Sequence, residues 1–148
     1  HLVATVAAHT GPVFDLYVES ETDTLCSAGK DGAILLWKFN RATNEPPEQT
    51  GKVDIGEHRR KLLKRVGGGA VCVRAVVMRG PTLLLGTASN EVFEIDTDTD
   101  KSRLLTVGHA LPSSSSAPTK EVWGLACHPS TTMFATIGDD GVLNIWDA

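Results

Sequence analysis

Two sets of side chains that could support acid–base or nucleophilic chemistry recur along the chain at the same spacing. Each set has a hydroxyl residue, an aspartate four positions later and a tryptophan six positions after that: Ser27, Asp31 and Trp37, then Thr136, Asp140 and Trp146. A histidine stands ahead of each set, at positions 9 and 109. Hydroxyl, imidazole and carboxylate groups can build an activated nucleophile. The repetition in register, however, indicates an internal structural repeat.

Other candidates for catalysis or ligand binding are weak. No second nucleophile–base pair and no carboxylate pair stands outside the two sets. Cys127 and His128 are adjacent, so in a strand their side chains point to opposite faces and cannot share one metal ion. The glycines at 67–69 are not followed by the Gly-Lys-Ser/Thr of a phosphate loop. The sequence predicts no enzyme, no cofactor and no metal site.

The composition is that of an ordinary globular domain. Of 148 residues, 41% are hydrophobic and 22% charged, and the net charge of −4 favours neither nucleic acid nor an anionic membrane. No apolar run approaches the roughly 18–20 residues of a membrane helix, and no leader pattern follows the first residue. Three widely spaced cysteines favour a reducing, cytoplasmic location.

Short strand patterns separated by turn sequences follow one another along the whole chain. They form three units, predicted at 12–18, 24–29 and 33–39, at 70–77, 82–88 and 91–95, and at 122–127, 133–138 and 142–146. One further strand is predicted ahead of each unit, at 1–6, 61–66 and 102–107. Asp-Gly turns at 31–32 and 140–141 favour tight hairpins. We expect an all-β protein of repeated antiparallel sheets, with inserts at 40–60 and 110–120.

The arrangement of the two chemical sets resembles the structural tetrad of the WD40 β-propeller. In that family, His, Ser or Thr, Asp and Trp form a buried hydrogen-bond chain within one blade. The resemblance implies structural roles for two tetrads, His9, Ser27, Asp31 and Trp37, and His109, Thr136, Asp140 and Trp146. The middle unit has Leu85, Ser89 and Ile95 in the corresponding places. It is therefore predicted to be a degenerate blade held by apolar packing alone.

The resemblance also divides the chain into three four-stranded blades. Residues 1–6 are predicted as the outer strand of a neighbouring blade, 9–66 as the first blade, 70–107 as the degenerate second and 108–148 as the third. Propellers typically hold four to eight blades, so we expect the chain to be part of a larger ring. The alternative is that two copies associate end to end into a ring of six.

Several stretches narrow the resemblance to the echinoderm microtubule-associated-protein-like family. These are HTGPVFDL at 9–16, GKDGAILLW at 29–37, EVWGLACHPS at 121–130 and the middle-blade stretch LLGTASNEVFEI at 84–95. The resemblance implies a non-enzymatic scaffold that binds tubulin, located on the cytoskeleton. A general WD40 adaptor, such as a substrate receptor of a ubiquitin ligase, is the alternative.

Two surfaces are candidates for contact with a partner. By the WD40 resemblance, a rim of aromatic and charged residues would lie at the narrow end of the ring: Pro12, Phe14, Lys30, Glu121, Trp123 and Asp139. Packing between blades is the alternative for Phe14 and Trp123. A basic run could meet acidic tubulin tails: Arg59, Arg60, Lys61, Lys64 and Arg65. We favour the other interpretation of this run, a solvated edge strand whose charges oppose aggregation.

Overall fold

Twelve elements of secondary structure lie in the part of the chain that the computed structural model describes, which is residues 2, 4–43, 45–64, 71–109 and 121–148. They are β1 (Val13–Glu19), β2 (Thr24–Gly29), β3 (Ala33–Lys38), β4 (Glu48–Asp54), α1 (Ile55–Leu63), β5 (Val73–Arg79), β6 (Thr82–Thr87), β7 (Glu91–Asp96), β8 (Lys101–Val107), β9 (Val122–Cys127), β10 (Met133–Gly138) and β11 (Leu143–Asp147). Within these residues, no helix is long and apolar enough to cross a membrane.

The strands form three antiparallel sheets in which each strand pairs with the next along the chain. The first two sheets have the orders β1-β2-β3-β4 and β5-β6-β7-β8, and the third holds β9, β10 and β11. We call them the first, second and third blades. The strands β1, β5 and β9 contact one another in that order and are therefore the innermost strands. The prediction of repeated antiparallel sheets is confirmed.

The turns between the second and third strands follow the predicted chemistry. Gly32 and Gly141 have φ of 77° and 70°, values that glycine adopts without steric cost. In the second blade Asn90 takes this place with φ of 65°, and asparagine is among the few other residues that tolerate it. These turns position the aspartates of the two predicted tetrads.

Apolar packing joins the blades face to face. Ile34 of the first blade and Phe93 of the second lie in one fully buried cluster. Val92 and Val122 lie in another, between the second and third blades. At this junction a Cβ on Gly86 would come within 2.5 Å of Val122 Cγ1, so only glycine permits the approach. The core fixes the relative positions of the three innermost strands, on which the predicted rim depends.

The predicted outer strand at 61–66 is wrong. Residues 55–63 form α1, and Lys64 caps it in a left-handed conformation, while 65 and 66 lie outside the described residues. Asp54 accepts a hydrogen bond from the Glu57 N–H at 3.0 Å and so starts the helix. Ile55, His58 and Leu62 recur at helical spacing on the packed face.

The outer strand of the first blade is instead β4, which lies inside the stretch predicted as an insert at 40–60. Its residues pair with β3 from Ala33–Asp54 to Lys38–Glu48. The sequence of β4, EQTGKVD, is mostly polar because most of its side chains face solvent. The predicted strand at 102–107 is confirmed as β8, and the predicted insert at 110–120 lies outside the described residues.

The stretch predicted as an outer strand at 1–6 is not a strand at its described positions. Residues 2 and 4–6 join no ladder, and residues 1 and 3 lie outside the description. Ala4 and Val6 line a groove of about 720 Å³ with Leu25 and Trp37 of the first blade. At its described positions the segment therefore lines this groove and adds no strand to a sheet.

Candidate functional site

The four side chains of the first predicted tetrad form one continuous hydrogen-bond chain. Trp37 Nε1 donates to Ser27 Oγ at 3.0 Å, and His9 Nε2 lies 2.8 Å from the same oxygen. His9 Nδ1 lies 3.0 Å from Asp31 Oδ1. Since a carboxylate only accepts, Nδ1 carries the proton and Nε2 accepts from the serine hydroxyl. The polar side-chain groups of these four tetrad residues are therefore all hydrogen-bonded.

The third blade repeats the arrangement. Trp146 Nε1 donates to Thr136 Oγ1 at 2.8 Å, and His109 Nε2 lies 2.8 Å from that hydroxyl. His109 Nδ1 lies 2.8 Å from Asp140 Oδ1. Thr136 and His109 are each 1% exposed, so a substrate cannot reach the hydroxyl in this arrangement. The geometry joins strand, turn and entry loop within one blade.

Hydrogen bonding sets the charge state of both tetrad aspartates. Burial raises the pKa of each carboxyl, but the bonds that each accepts outweigh it. For Asp31 these come from His9 and from the N–H groups of Thr10 and Ala33. For Asp140 they come chiefly from His109. The pKa of both aspartates therefore lies below its usual value, and both are ionised at neutral pH.

The second blade lacks a tetrad but has a polar network that was not predicted from the sequence. Leu85 and Ile95 are buried and apolar at the tetrad places, as predicted. Arg59 Nε, from α1, lies 2.9 Å from both carboxylate oxygens of Glu91, and Thr87 Oγ1 donates to Glu91 Oε2 at 3.3 Å. The prediction that apolar packing alone holds this blade is therefore wrong. One signal was present, since Thr87 stands four residues before Glu91, the hydroxyl–carboxylate spacing of the tetrads.

The second blade also fixes part of the third tetrad. Asn90 Oδ1 accepts from the His109 backbone N–H at 2.6 Å, and Asn90 Nδ2 donates to the His109 carbonyl. The Gly108 N–H donates to the Asn90 carbonyl at 3.2 Å. Three bonds thus hold the backbone of the tetrad histidine from the neighbouring blade.

At the predicted rim, an arginine lies between the two aromatic rings. The Arg74 guanidinium carbon is 4.1 Å from the centre of the Phe14 ring and 4.5 Å from that of Trp123. These are cation–π distances. Arg74 Nε lies 2.5 Å from Glu121 Oε2, and both atoms are buried without a hydrogen-bonded partner among the described residues. Their contact is therefore an ion pair without hydrogen-bond alignment.

Arg74 was not among the predicted rim residues, although its position in the sequence carried a signal. Phe14, Arg74 and Trp123 are each the second residue of an innermost strand, directly after a valine. The side chains at this register therefore meet across three blades. Each ring packs against the neighbouring second blade through Arg74, and Phe14 and Trp123 remain 38% and 48% exposed, respectively. Their contact with a partner stays a prediction.

The other predicted rim residues adjoin this stack. Trp123 Nε1 donates to Asp139 Oδ1, and the Glu121 N–H donates to Asp139 Oδ2 at 3.1 Å. Lys30 and Pro12 are exposed and are linked by a backbone hydrogen bond from the Lys30 N–H to the Pro12 carbonyl at 2.9 Å. We refer to the residues Phe14, Arg74, Glu121, Trp123 and Asp139 as the rim cluster.

The basic run lies on α1, so its interpretation as an edge strand was wrong. Arg59 is paired with Glu91, and Lys61 Nζ lies 3.0 Å from Glu57 and 3.3 Å from Asp100. Arg60 and Lys64 are exposed, and Arg65 lies outside the described residues. The run is therefore not one uniform patch of free charge.

No metal-binding group was found where the structure describes the chain, since no three His, Cys, Asp or Glu residues there converge on one point. The thiols of Cys26, Cys72 and Cys127 are all free. Burial, with a smaller effect of Glu19, raises the pKa of Cys26 to about 12. A thiol with so high a pKa is inert as a ligand or nucleophile at neutral pH.

The family model described as "WD domain, G-beta repeat" matches residues 1–38 and 104–147, more than half of the chain. The chain belongs to the WD40 repeat family. The matched ranges contain both tetrads, whereas this WD40 protein's second blade, which lacks one, lies almost wholly outside them.

Curated relatives extend the similarity over the second blade. The WD40 chain is 31% identical over 147 residues to the 77 kDa echinoderm microtubule-associated protein of Lytechinus variegatus, covering 97% of this chain. It is 29% identical over 148 residues to the human echinoderm microtubule-associated protein-like 2, covering 98%. The chain spans only 18% of the length of each of these relatives.

Solved structures show the same fold. The β-propeller domain of Cps50 (Swd1) from Myceliophteria thermophila superimposes with a TM-score of 0.69 at 15% identity, covering 99% of this chain and 43% of that one. The RRP9 WD40 repeats give 0.64 at 17% identity, covering 95% and 36%. The three sheets are thus blades of a WD40 β-propeller.

Proposed function

We propose that this WD40 chain is a non-enzymatic interaction scaffold within a microtubule-associated protein of the cytoplasmic cytoskeleton, and that tubulin is its partner. The observation that carries the proposal is the similarity to echinoderm microtubule-associated proteins over 97–98% of the chain. That similarity includes the second blade, which the general WD40 model leaves unmatched. A relationship confined to the common WD40 repeat would not extend there.

The geometry of the blades supports rigid presentation of a surface as the mechanism. The tetrad hydroxyls are buried and satisfied, so they stabilise the individual blades that contain them. Aromatic and arginine side chains, the types most enriched among energetically dominant interface residues, are partly exposed at the rim. A scaffold of this kind binds through shape and charge and transforms nothing.

We also propose that these three blades belong to a larger ring. Leu16 and Val18 on the first blade, and Leu143 and Ile145 on the third, are 54–68% exposed. Apolar strand faces of this kind favour association. Light scattering of the 148-residue chain should show an oligomer, and a stable monomer that binds no apolar dye would refute this part of the proposal.

Co-sedimentation with microtubules tests the proposed partner. The chain and the full-length polypeptide that contains it should both be assayed, at several salt concentrations, against tubulin polymer. If acidic tubulin tails meet the exposed part of α1, reversing charge at Arg60 and Lys64 together should lower the pelleted fraction. Reversing Lys52, an exposed cation on β4, is the matched control. If the full-length protein does not pellet, tubulin is not its partner and a general adaptor role replaces it.

A further inference from the structure

The rim cluster leaves two aromatic surfaces uncovered. Arg74 lies against one face of the Phe14 ring and one face of the Trp123 ring. Both side chains nevertheless remain well exposed, Trp123 more than Phe14. Arg74 covers only one face of each ring, so its guanidinium leaves the opposite face of each ring to a second cation. An indole face has a negative electrostatic potential, which attracts cations.

A fixed carboxylate lies at the Nε1 edge of the Trp123 indole ring. The Trp123 Nε1–H and the Glu121 N–H each donate to a different oxygen of Asp139. A carboxylate has about four acceptor positions, so those two bonds leave others free. Asp139 is exposed and has no ion-pair partner among the described residues, because the neighbouring Arg74 is paired with Glu121. Its position is fixed, and no cation of the described residues pairs with its charge.

We propose that Trp123 and Asp139 form a binding site for an arginine or lysine side chain in a basic segment of a protein partner. The bound cation would stack on the open face of Trp123 and pair with Asp139. Arg74 already makes the same two contacts on the other side, stacking on Trp123 and pairing with Glu121. Arginine is the better fit because its planar guanidinium stacks on a ring and binds a carboxylate through two N–H groups.

The charges around the site favour a basic partner over an acidic one. The rim and its adjoining turns contain the carboxylates of Asp31, Glu121, Asp139 and Asp140 and the cations of Lys30 and Arg74. Among the described residues there, carboxylates therefore outnumber the side chains of lysine and arginine. A surface of this sign steers basic segments toward it and repels acidic ones.

A pair of short labelled peptides tests the proposal with the 148-residue chain. One peptide carries two arginines among glycines and serines, and the other carries two glutamates in the same places. Fluorescence anisotropy should show saturable, salt-sensitive binding of the arginine peptide and none of the glutamate peptide. Trp123→Leu should lower the affinity for the arginine peptide by about fivefold or more, since a cation–π contact is lost. Trp123→Phe, which keeps a smaller ring, should fall between.

Matched controls separate the site from general charge and from folding. Phe39→Leu removes an aromatic ring of the same 38% exposure as Phe14, away from the cluster, and should leave affinity unchanged. Asp139→Asn should weaken binding and its salt dependence, whereas Asp98→Asn, on an exposed turn, should not. If Asp139→Asn alters the melting curve, its loss of binding could come from misfolding, and the affinities of the Trp123 variants alone then test the site.

Equal affinity of the native chain and Trp123→Leu for the arginine peptide would overturn the site. Preference for the glutamate peptide would overturn the sign of the partner, and with it the proposal. Because no tubulin is present in this assay, its outcome is independent of the microtubule experiment.

Discussion

Replacing Asp140 by alanine removes the carboxylate that ends the third blade's hydrogen-bond chain. Asp140 accepts from His109 Nδ1 at 2.8 Å and from the Val142 N–H at 3.1 Å. The Val142 N–H can turn to water because that residue is exposed, but the His109 side chain is fully buried. The cost is therefore that of one unsatisfied buried donor, about 1–3 kcal/mol in free energy of unfolding.

Urea unfolding measures this difference. With a slope of about 2 kcal/mol per molar urea, the midpoint of Asp140→Ala should fall by roughly 0.5–1.5 M. Ser89→Ala changes the corresponding place in the second blade. Its side chain is exposed and makes no hydrogen bond with the described residues, so the shift should stay within about 0.5 kcal/mol. Equal midpoints for the two variants would refute the reasoning that the tetrad carboxylate is a structural acceptor.

Three further results are expected. Arg59→Ala should lower the free energy of unfolding by about 1–3 kcal/mol, because it leaves the buried carboxylate of Glu91 without its cation. Arg60→Ala, on the exposed face of α1, should change it little. Similar melting temperatures for the two variants would contradict the role of the ion pair. Since the folded pKa of Asp31 and Asp140 is lowered, their contribution to stability is complete above the unfolded pKa of about 3.9 and is lost as the pH falls below it. Acid unfolding of the native and Asp140→Asn chains should show a smaller loss of stability for the variant. Cys26, with a pKa of about 12 and no exposure, should resist alkylation at pH 8 until the chain unfolds, and labelling in the native state would show that the first two blades open.

The tetrads and their turns could be predicted because their signal is local. Ser27, Asp31 and Trp37 lie within eleven residues, and a glycine that needs positive φ marks the turn. The outer strands lack such a signal. A strand with most side chains in solvent, such as β4, has no apolar alternation. The apolar residues of KLLKRV at 61–66 are compatible with either a strand or the end of a helix, and the structure has the end of α1 at 61–63.

The rim and the second blade were only partly predictable because their partners are distant in sequence. Arg59 meets Glu91 across 32 positions, and no local pattern specifies that pairing. Arg74 reaches Phe14 and Trp123 only because three separate innermost strands share one register. The sequence indicated which residues could stand at the rim, but the cation between the two rings required the packed blades.

The three hydrogen bonds between Asn90 and the Gly108–His109 backbone make the boundary between the second and third blades part of the third blade's own structure. In repeat proteins, stability is a sum of repeat terms and nearest-neighbour terms. Here the nearest-neighbour term includes the Asn90 bonds, which position the imidazole of His109 in the third blade's tetrad. Local opening of the second blade's turn therefore releases His109 as well. In hydrogen exchange, the amides of these two blades should lose protection in one cooperative event, although only one of them contains a tetrad.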